Sequence, residues 1–171
     1  MAKKIYEACR RLLTTCANCQ PDENILIVTD TDSLEIGMAL WDAAEEFPKK
    51  TMVMMEPRKM HGEEPTPLVA AAMLKADVIF RATKFSLSHS HARRDACAAG
   101  ARDLNCCDYS IEMLEKGGLY TDFEADRKYV DQLLKSMANG DQVHITSEAG
   151  TDYYASIKGH KLFPQYGMVR N

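Results

Sequence analysis

Ile25-Leu26-Ile27-Val28 is an unbroken apolar run, followed by Thr29 and then Asp30-Thr31-Asp32. Such a run lacks the alternation of a half-wet strand and reads as a strand buried on both faces. A sheet is buried on both faces only when helices cover both, and the flanking sequence supplies them. Upstream, Ile5, Ala8, Cys9, Leu12, Leu13 and Cys16 line one face of a helix. The polar stretch Asn18 to Asn24, with Pro21, turns the chain into the strand. Downstream, Ile36, Leu40, Ala43, Ala44 and Phe47 mark the inward face of a helix from about Ser33 to Glu46. Asp32 is placed to cap it and Pro48 to stop it.

The same alternation recurs along the chain. Thr51-Met52-Val53-Met54-Met55 reads as a second buried strand, its methionines as core rather than ligands. The polar loop Glu56 to Pro67 follows, then a helix from Pro67 to Lys75 with Thr66 at its cap. Ala76 to Phe80 is a third strand, and Arg81 to Ser88 leaves it. A helix spans Ser90 to Gly100, Arg102 to Cys106 is a fourth strand, and Tyr109 to Lys116 a short helix. Phe123 to Ala138 is a longer helix, with Val130, Leu133, Leu134 and Met137 inward and Asn139-Gly140 at its end. Strand and helix in alternation predict an α/β fold in three layers: a mostly parallel sheet with helices on both faces. Ligands on such sheets sit beyond the strand carboxyl ends, near the reversal of strand order.

The last part reads differently. Gln142 to Thr146 and Thr151 to Ile157 are strands joined by Ser147-Glu148-Ala149-Gly150, with a further short strand at Leu162 and Phe163. This is the start of an antiparallel β unit, so residues 1–139 are expected as the parallel-sheet domain and 140–171 as an incomplete second one. Gly167-Met168-Val169-Arg170-Asn171 ends it abruptly, as in a truncated, cleaved or split chain.

Composition excludes several classes. The 171 residues are 46% hydrophobic and 27% charged, as in ordinary globular proteins, and the net charge of -4 leaves no basic footprint for nucleic acid. No apolar run reaches membrane-spanning length. The start Met1-Ala2-Lys3-Lys4 is not followed by a signal peptide's apolar stretch, because Glu7, Cys9, Arg10 and Arg11 interrupt it. A cytoplasmic protein is expected. Of the six cysteines, Cys16 and Cys19 have C-x-x-C spacing, Cys106 and Cys107 are adjacent, and Cys9 and Cys97 stand alone. Neither a zinc site nor a redox motif fits that pattern, and reduced thiols are the simpler account.

Asp30, Asp32, Glu56, His61, Glu64, His89 and His91 all fall in loops after strands, which a parallel sheet brings to one end. Ser88-His89-Ser90-His91 lies at a strand-to-helix junction and holds the foremost candidate, His89, as general base. Against this stands the plainer reading that both histidines are surface or cap residues. Arg93, Arg94 and Arg102 could bind an acidic substrate group, or pair with Asp95, Asp103 or Glu112. The glycines of a phosphate-cradling loop are absent after the first strand.

Several segments, in order, resemble a known family. They are Glu64-Pro65-Thr66-Pro67 before an alanine-rich helix, Ala76-Asp77-Val78-Ile79, Ser88-His89-Ser90-His91-Ala92-Arg93, Gly100-Ala101-Arg102, Gly150-Thr151-Asp152 and Lys158-Gly159-His160. Together they resemble the amino-terminal part of the aminopeptidase T family of metallopeptidases. That superfamily includes 2,5-dihydroxypyridine 5,6-dioxygenase, a non-haem iron enzyme. The resemblance implies metal-dependent hydrolysis or ring opening. It places the metal ligands in a carboxyl-terminal domain, so no residue here is named as a metal ligand. A divalent metal (Fe, Zn, Mn or Co) is expected in the complete enzyme. By the same resemblance His89 is the catalytic acid/base. Arg93 and Arg102 match pocket-shaping positions, and His91 occupies a variable one. With Glu64 and Asp32 these form the expected substrate-binding set. The partners implied are a small-molecule or short-peptide substrate, a carboxyl-terminal fragment or domain carrying the metal, and further copies of the chain. Two rivals stand beside this reading: a non-catalytic binding or subunit module, and an independent hydrolase pairing His89 with Asp30, Asp32 or Glu64.

Overall fold

The computed structural model describes residues 2–169. Met1, Arg170 and Asn171 lie outside the described residues, and with them the last two positions of the expected 140–171 unit. The chain forms two compact units: one runs to Tyr120 and takes in Met168 and Val169, the other is Thr121–Gly167.

In the first unit, strands β1 (Ile25–Asp30), β2 (Lys50–Met55), β3 (Val78–Ala82) and β4 (Arg102–Asn105) form one sheet in the order β2-β1-β3-β4. Every pairing is parallel. Helices α1 (Lys3–Arg11), α2 (Leu34–Ala43) and α5 (Ile111–Lys116) pack together on one face, and α3 (Pro67–Met73) and α4 (His91–Ala98) on the other. The α/β expectation is met. Leu26, Val28 and Ile79 meet Val69 and Met73 of α3 and Ala92 and Ala96 of α4 in one apolar cluster. Ile25, Ile27, Val78 and Phe80 alternate to the opposite face, all fully buried.

Strand β2 departs from the expectation. It is the sheet's edge, so it lacks a neighbour on one side, and only Met55 of its six residues is buried while Met54 is 55% exposed. Strand β3 runs two residues later than its apolar run suggests and carries a buried arginine, Arg81. The first helix does not continue regularly to Cys16. Leu12–Cys16 is a π turn, with the Ala17 N–H donating to the Leu12 carbonyl, and Asn18 in the left-handed region (φ 50) ends it. The second helix stops at Ala43, and Thr66 begins α3 without a side-chain cap bond.

Two aspartates stitch the sheet at its two ends. At the amino end, the Asp77 carboxylate accepts from both the backbone and side-chain nitrogens of Asn24. At the carboxyl end, Asp30 does the corresponding work, described below.

The second unit holds α6 (Phe123–Met137) and an antiparallel hairpin of β5 (Gln142–Thr146) and β6 (Asp152–Ser156). Asp122 caps α6 through the Glu124 and Ala125 N–H groups. Only Phe123 of α6 is buried. Leu133, expected inward, is 51% exposed. Leu162 and Phe163 form no strand, and Phe163 is exposed. No helix among the described residues is long and apolar enough to cross a membrane.

Candidate functional site

The chain goes from β1 to β2 on one side and then returns to place β3 on the other side of β1. Strand order reverses there, so a crevice opens between the carboxyl ends of β1 and β3. Asp30 sits at that point, fully buried. Its Oδ1 accepts from the Ser33 N–H at 2.9 Å and its Oδ2 from the Lys84 N–H at 2.7 Å. One carboxylate thus caps the turn after β1 and pins the loop after β3. The expected cap, Asp32, does not do this. The cap falls two residues earlier because Asp30 is the residue in extended conformation before the Thr31–Ser33 turn. Asp32 is left exposed at the mouth of the crevice.

Beyond Lys84 the chain climbs through Ser86, Ser88 and His89 into α4, and a buried ion network supports it from beneath. Arg81 is 1% exposed and grips Asp103 of β4 with two bonds, Nε to Oδ1 at 2.6 Å and Nη2 to Oδ2 at 2.7 Å. Arg93 of α4 donates to the same Asp103 at 3.0 Å. Arg81 Nη2 also reaches the Ser88 hydroxyl, which the Ser86 hydroxyl bonds in turn at 2.9 Å. Ser90 caps α4 by accepting from the Arg93 N–H. The loop therefore has little freedom although it lies at the surface.

His89 is exposed on this loop, and among the described residues no side chain bonds its ring. His91 faces Glu64. The Glu64 carboxylate accepts from the N–H groups of His91 and Ala92, and its Oε1 lies 2.9 Å from His91 Nδ1. Those bonds, the His91 N–H foremost, hold the Glu64 carboxyl below the usual carboxylate range. The preceding loop meets the same segment, with His61 Nδ1 accepting from the Ser86 N–H at 3.0 Å and the Gly62 N–H donating to the Ser86 carbonyl at 2.8 Å. At the crevice, Lys84 Nζ pairs with Asp108 at 2.7 Å and feels the charge of Asp32.

His89, His91, Glu64 and Arg93 are thus gathered around the start of α4, and Asp32 stands at the end of β1. Arg102 is elsewhere. It lies at the amino end of β4, where it holds Glu23 with two bonds and donates to the Ala17 carbonyl. Arg94 pairs with its neighbour Asp95. Sequence reasoning missed Arg81, Ser86, Lys84 and Asp108. Their roles arise from contacts across strands, and no local pattern marks them. The independent-hydrolase rival needed a carboxylate on the His89 ring. Asp30 has both oxygens occupied by backbone N–H groups, Glu64 is committed to α4, and among the described residues no hydrogen bond joins Asp32 to the His89 ring.

The donors do not fit a metal ion. Among the described residues no group of three or more His, Cys, Asp or Glu side chains is gathered to hold one. His61 Nδ1 and Glu64 already have partners. Burial pushes the Cys9, Cys19 and Cys106 thiols up to about 12, far from the thiolate that would bind a metal or attack a substrate.

A family model described as NicX, 2,5-dihydroxypyridine 5,6-dioxygenase, matches residues 4–171. No curated protein and no solved structure gives a significant match.

Proposed function

The chain belongs to the 2,5-dihydroxypyridine 5,6-dioxygenase family, and from that premise we propose that it is the α/β part of a metal-dependent, ring-opening dioxygenase in which His89 moves the proton. The observation that carries this reading is the setting of His89: exposed, free of side-chain partners among the described residues, and mounted on a loop braced by Arg81, Asp103 and Ser88. A general base needs that combination of access and fixed position.

The family's name describes addition of dioxygen across the C5–C6 bond of a dihydroxylated pyridine. Both oxygen atoms enter the product, so the ring opens without loss of any other atom. The hydroxyl proton must still leave and return, and His89 supplies that relay. His91, Arg93, Glu64 and Asp32 shape the mouth around it. Arg102 acts at a distance, by holding the amino end of β4. The metal ligands come from a polypeptide segment other than residues 2–169, since the donors here do not fit an ion. The β5–β6 hairpin opens that further β-containing part, the working enzyme is a cytoplasmic homo-oligomer, and its substrate is a small molecule. Peptide hydrolysis of the aminopeptidase T kind is the lesser reading, because no described residue favours it.

The test combines intact mass and metal analysis of the active enzyme with oxygen uptake on 2,5-dihydroxypyridine. Near-stoichiometric iron and one dioxygen consumed per ring are expected. Replacing His89→Asn should lower kcat by about 10²–10⁴-fold with little change in KM. Aminoacyl-amide hydrolysis without oxygen uptake, or full activity in the His89 variant, would sink the reading.

A further inference from the structure

The loop after β2 carries a second histidine whose chemistry is fixed by its neighbours. His61 Nδ1 accepts the Ser86 backbone N–H, and a backbone N–H can only donate. A nitrogen that accepts carries no proton, so in the neutral ring the hydrogen sits on Nε2. The ring cannot easily reorient. Gly62 grips the Ser86 carbonyl from the other side, and Phe85 meets the imidazole edge-on with centroids 5.3 Å apart. The loop tip is closed on itself by the Lys59 N–H on Glu63 and by the Arg58 guanidinium on the Glu56 carbonyl. The residue after His61 lies beside His89. Gly62 has φ +84, and a Cβ added there would stand 3.6 Å from the Cβ of His89.

We propose that His61 presents Nε2–H as a fixed hydrogen-bond donor to an oxygen of the same hydroxypyridine ring whose proton His89 moves. The inference rests on the reading of His89 given above. The two histidines divide the work. His61 cannot take a proton on Nδ1 without losing Ser86, so it donates and selects. Among the described residues His89 has no such tie, and its ring is available to exchange protons. The acceptor that suits His61 is the oxygen at ring position 2, which in the pyridone form is a carbonyl.

Ring-nitrogen NMR of the full chain tests this, with 2,5-dihydroxypyridine and 3-hydroxypyridine as probes. The second probe lacks the oxygen at position 2. His61 is expected as the Nε2–H tautomer. Adding 2,5-dihydroxypyridine should move both histidines with one dissociation constant, and 3-hydroxypyridine should move His89 alone. Replacing His61→Phe should weaken 2,5-dihydroxypyridine about fivefold, the worth of one neutral hydrogen bond, and leave 3-hydroxypyridine unchanged. His61→Gln, which keeps a donor, should restore part of that difference. A merely structural His61 would weaken both probes alike. An Nδ1–H tautomer, equal weakening of both probes, or a His89 response without His61 would overturn the inference and leave the His89 reading intact. A His61 response without His89 would support the donor and sink the His89 reading. Silence at both rings would overturn both as properties of this chain.

Discussion

Strands β1 and β3 bury every residue they contain, whereas β5 and β6 bury none. Both pairs of strands are fully hydrogen-bonded. The difference lies in what covers them. The parallel sheet has helices on both faces and an apolar cluster on each side. The hairpin leaves Ile145, Tyr153 and Tyr154 more than half exposed. Pairing alone makes a strand, but only cover makes a core, and a two-stranded hairpin is marginal by itself. The first unit's stability should therefore respond sharply to single changes and the second unit's hardly at all.

The hardest blow to that contrast is Asp103→Ala. It leaves Arg81 charged, buried and unpaired, and should cost about 3–5 kcal/mol in urea unfolding. A loss near zero would mean that the network beneath the His89 loop is not what holds the first unit. Gly37→Ala should come next. A Cβ there would lie 2.8 Å from Thr29 Oγ1 and 2.9 Å from Thr29 Cβ, so α2 must lift from β1. A cost of about 1–3 kcal/mol is expected from thermal unfolding.

Glu64→Gln should cost about 1 kcal/mol, by weakening the anionic cap on α4. Its pH dependence has a definite sign. The folded carboxyl lies below its ordinary 4.5, so its contribution is complete above that value and is lost as pH falls through the lowered one. Wild type and Glu64→Gln should therefore converge in acid, and a gap that widens there would contradict the cap. Smallest of all, Ile145→Ala on the hairpin should stay within about 0.5 kcal/mol. If it costs as much as Gly37→Ala, the hairpin has cover and the contrast is broken.

The parallel sheet was legible because its strands are apolar runs, and burial on both faces leaves that mark in a sequence. Where the cause is long-range, the sequence is silent. Met52 and Met54 look like Ile27 and Val28, yet β2 lies at the edge and stays half wet. Arg81 looks like the end of a strand, but Asp103 lets it remain inside one. Leu133 follows the helical period of α6 without being covered. In the candidate site, His89 and His91 were visible as a motif at a strand-to-helix junction. Arg93 was visible as a residue that Asp103 could pair. Arg102 was read toward the mouth, but Glu23, far upstream, takes it to the other end of the sheet. The importance of His61 was hidden, since it depends on a backbone N–H at Ser86.

Ser86 is bound by the preceding loop through both its N–H and its carbonyl. Mechanically, the loops after β2 and β3 are one body there. A force applied at the exposed tip around Met60 is transmitted to the segment carrying His89, and a ligand seated against one loop sets the stiffness of the other. Tightness of binding and alignment of the proton-moving group are then a single variable. A substitution that breaks the Gly62–Ser86 bond while leaving His61 in place should lower both together, even if it touches neither substrate nor His89.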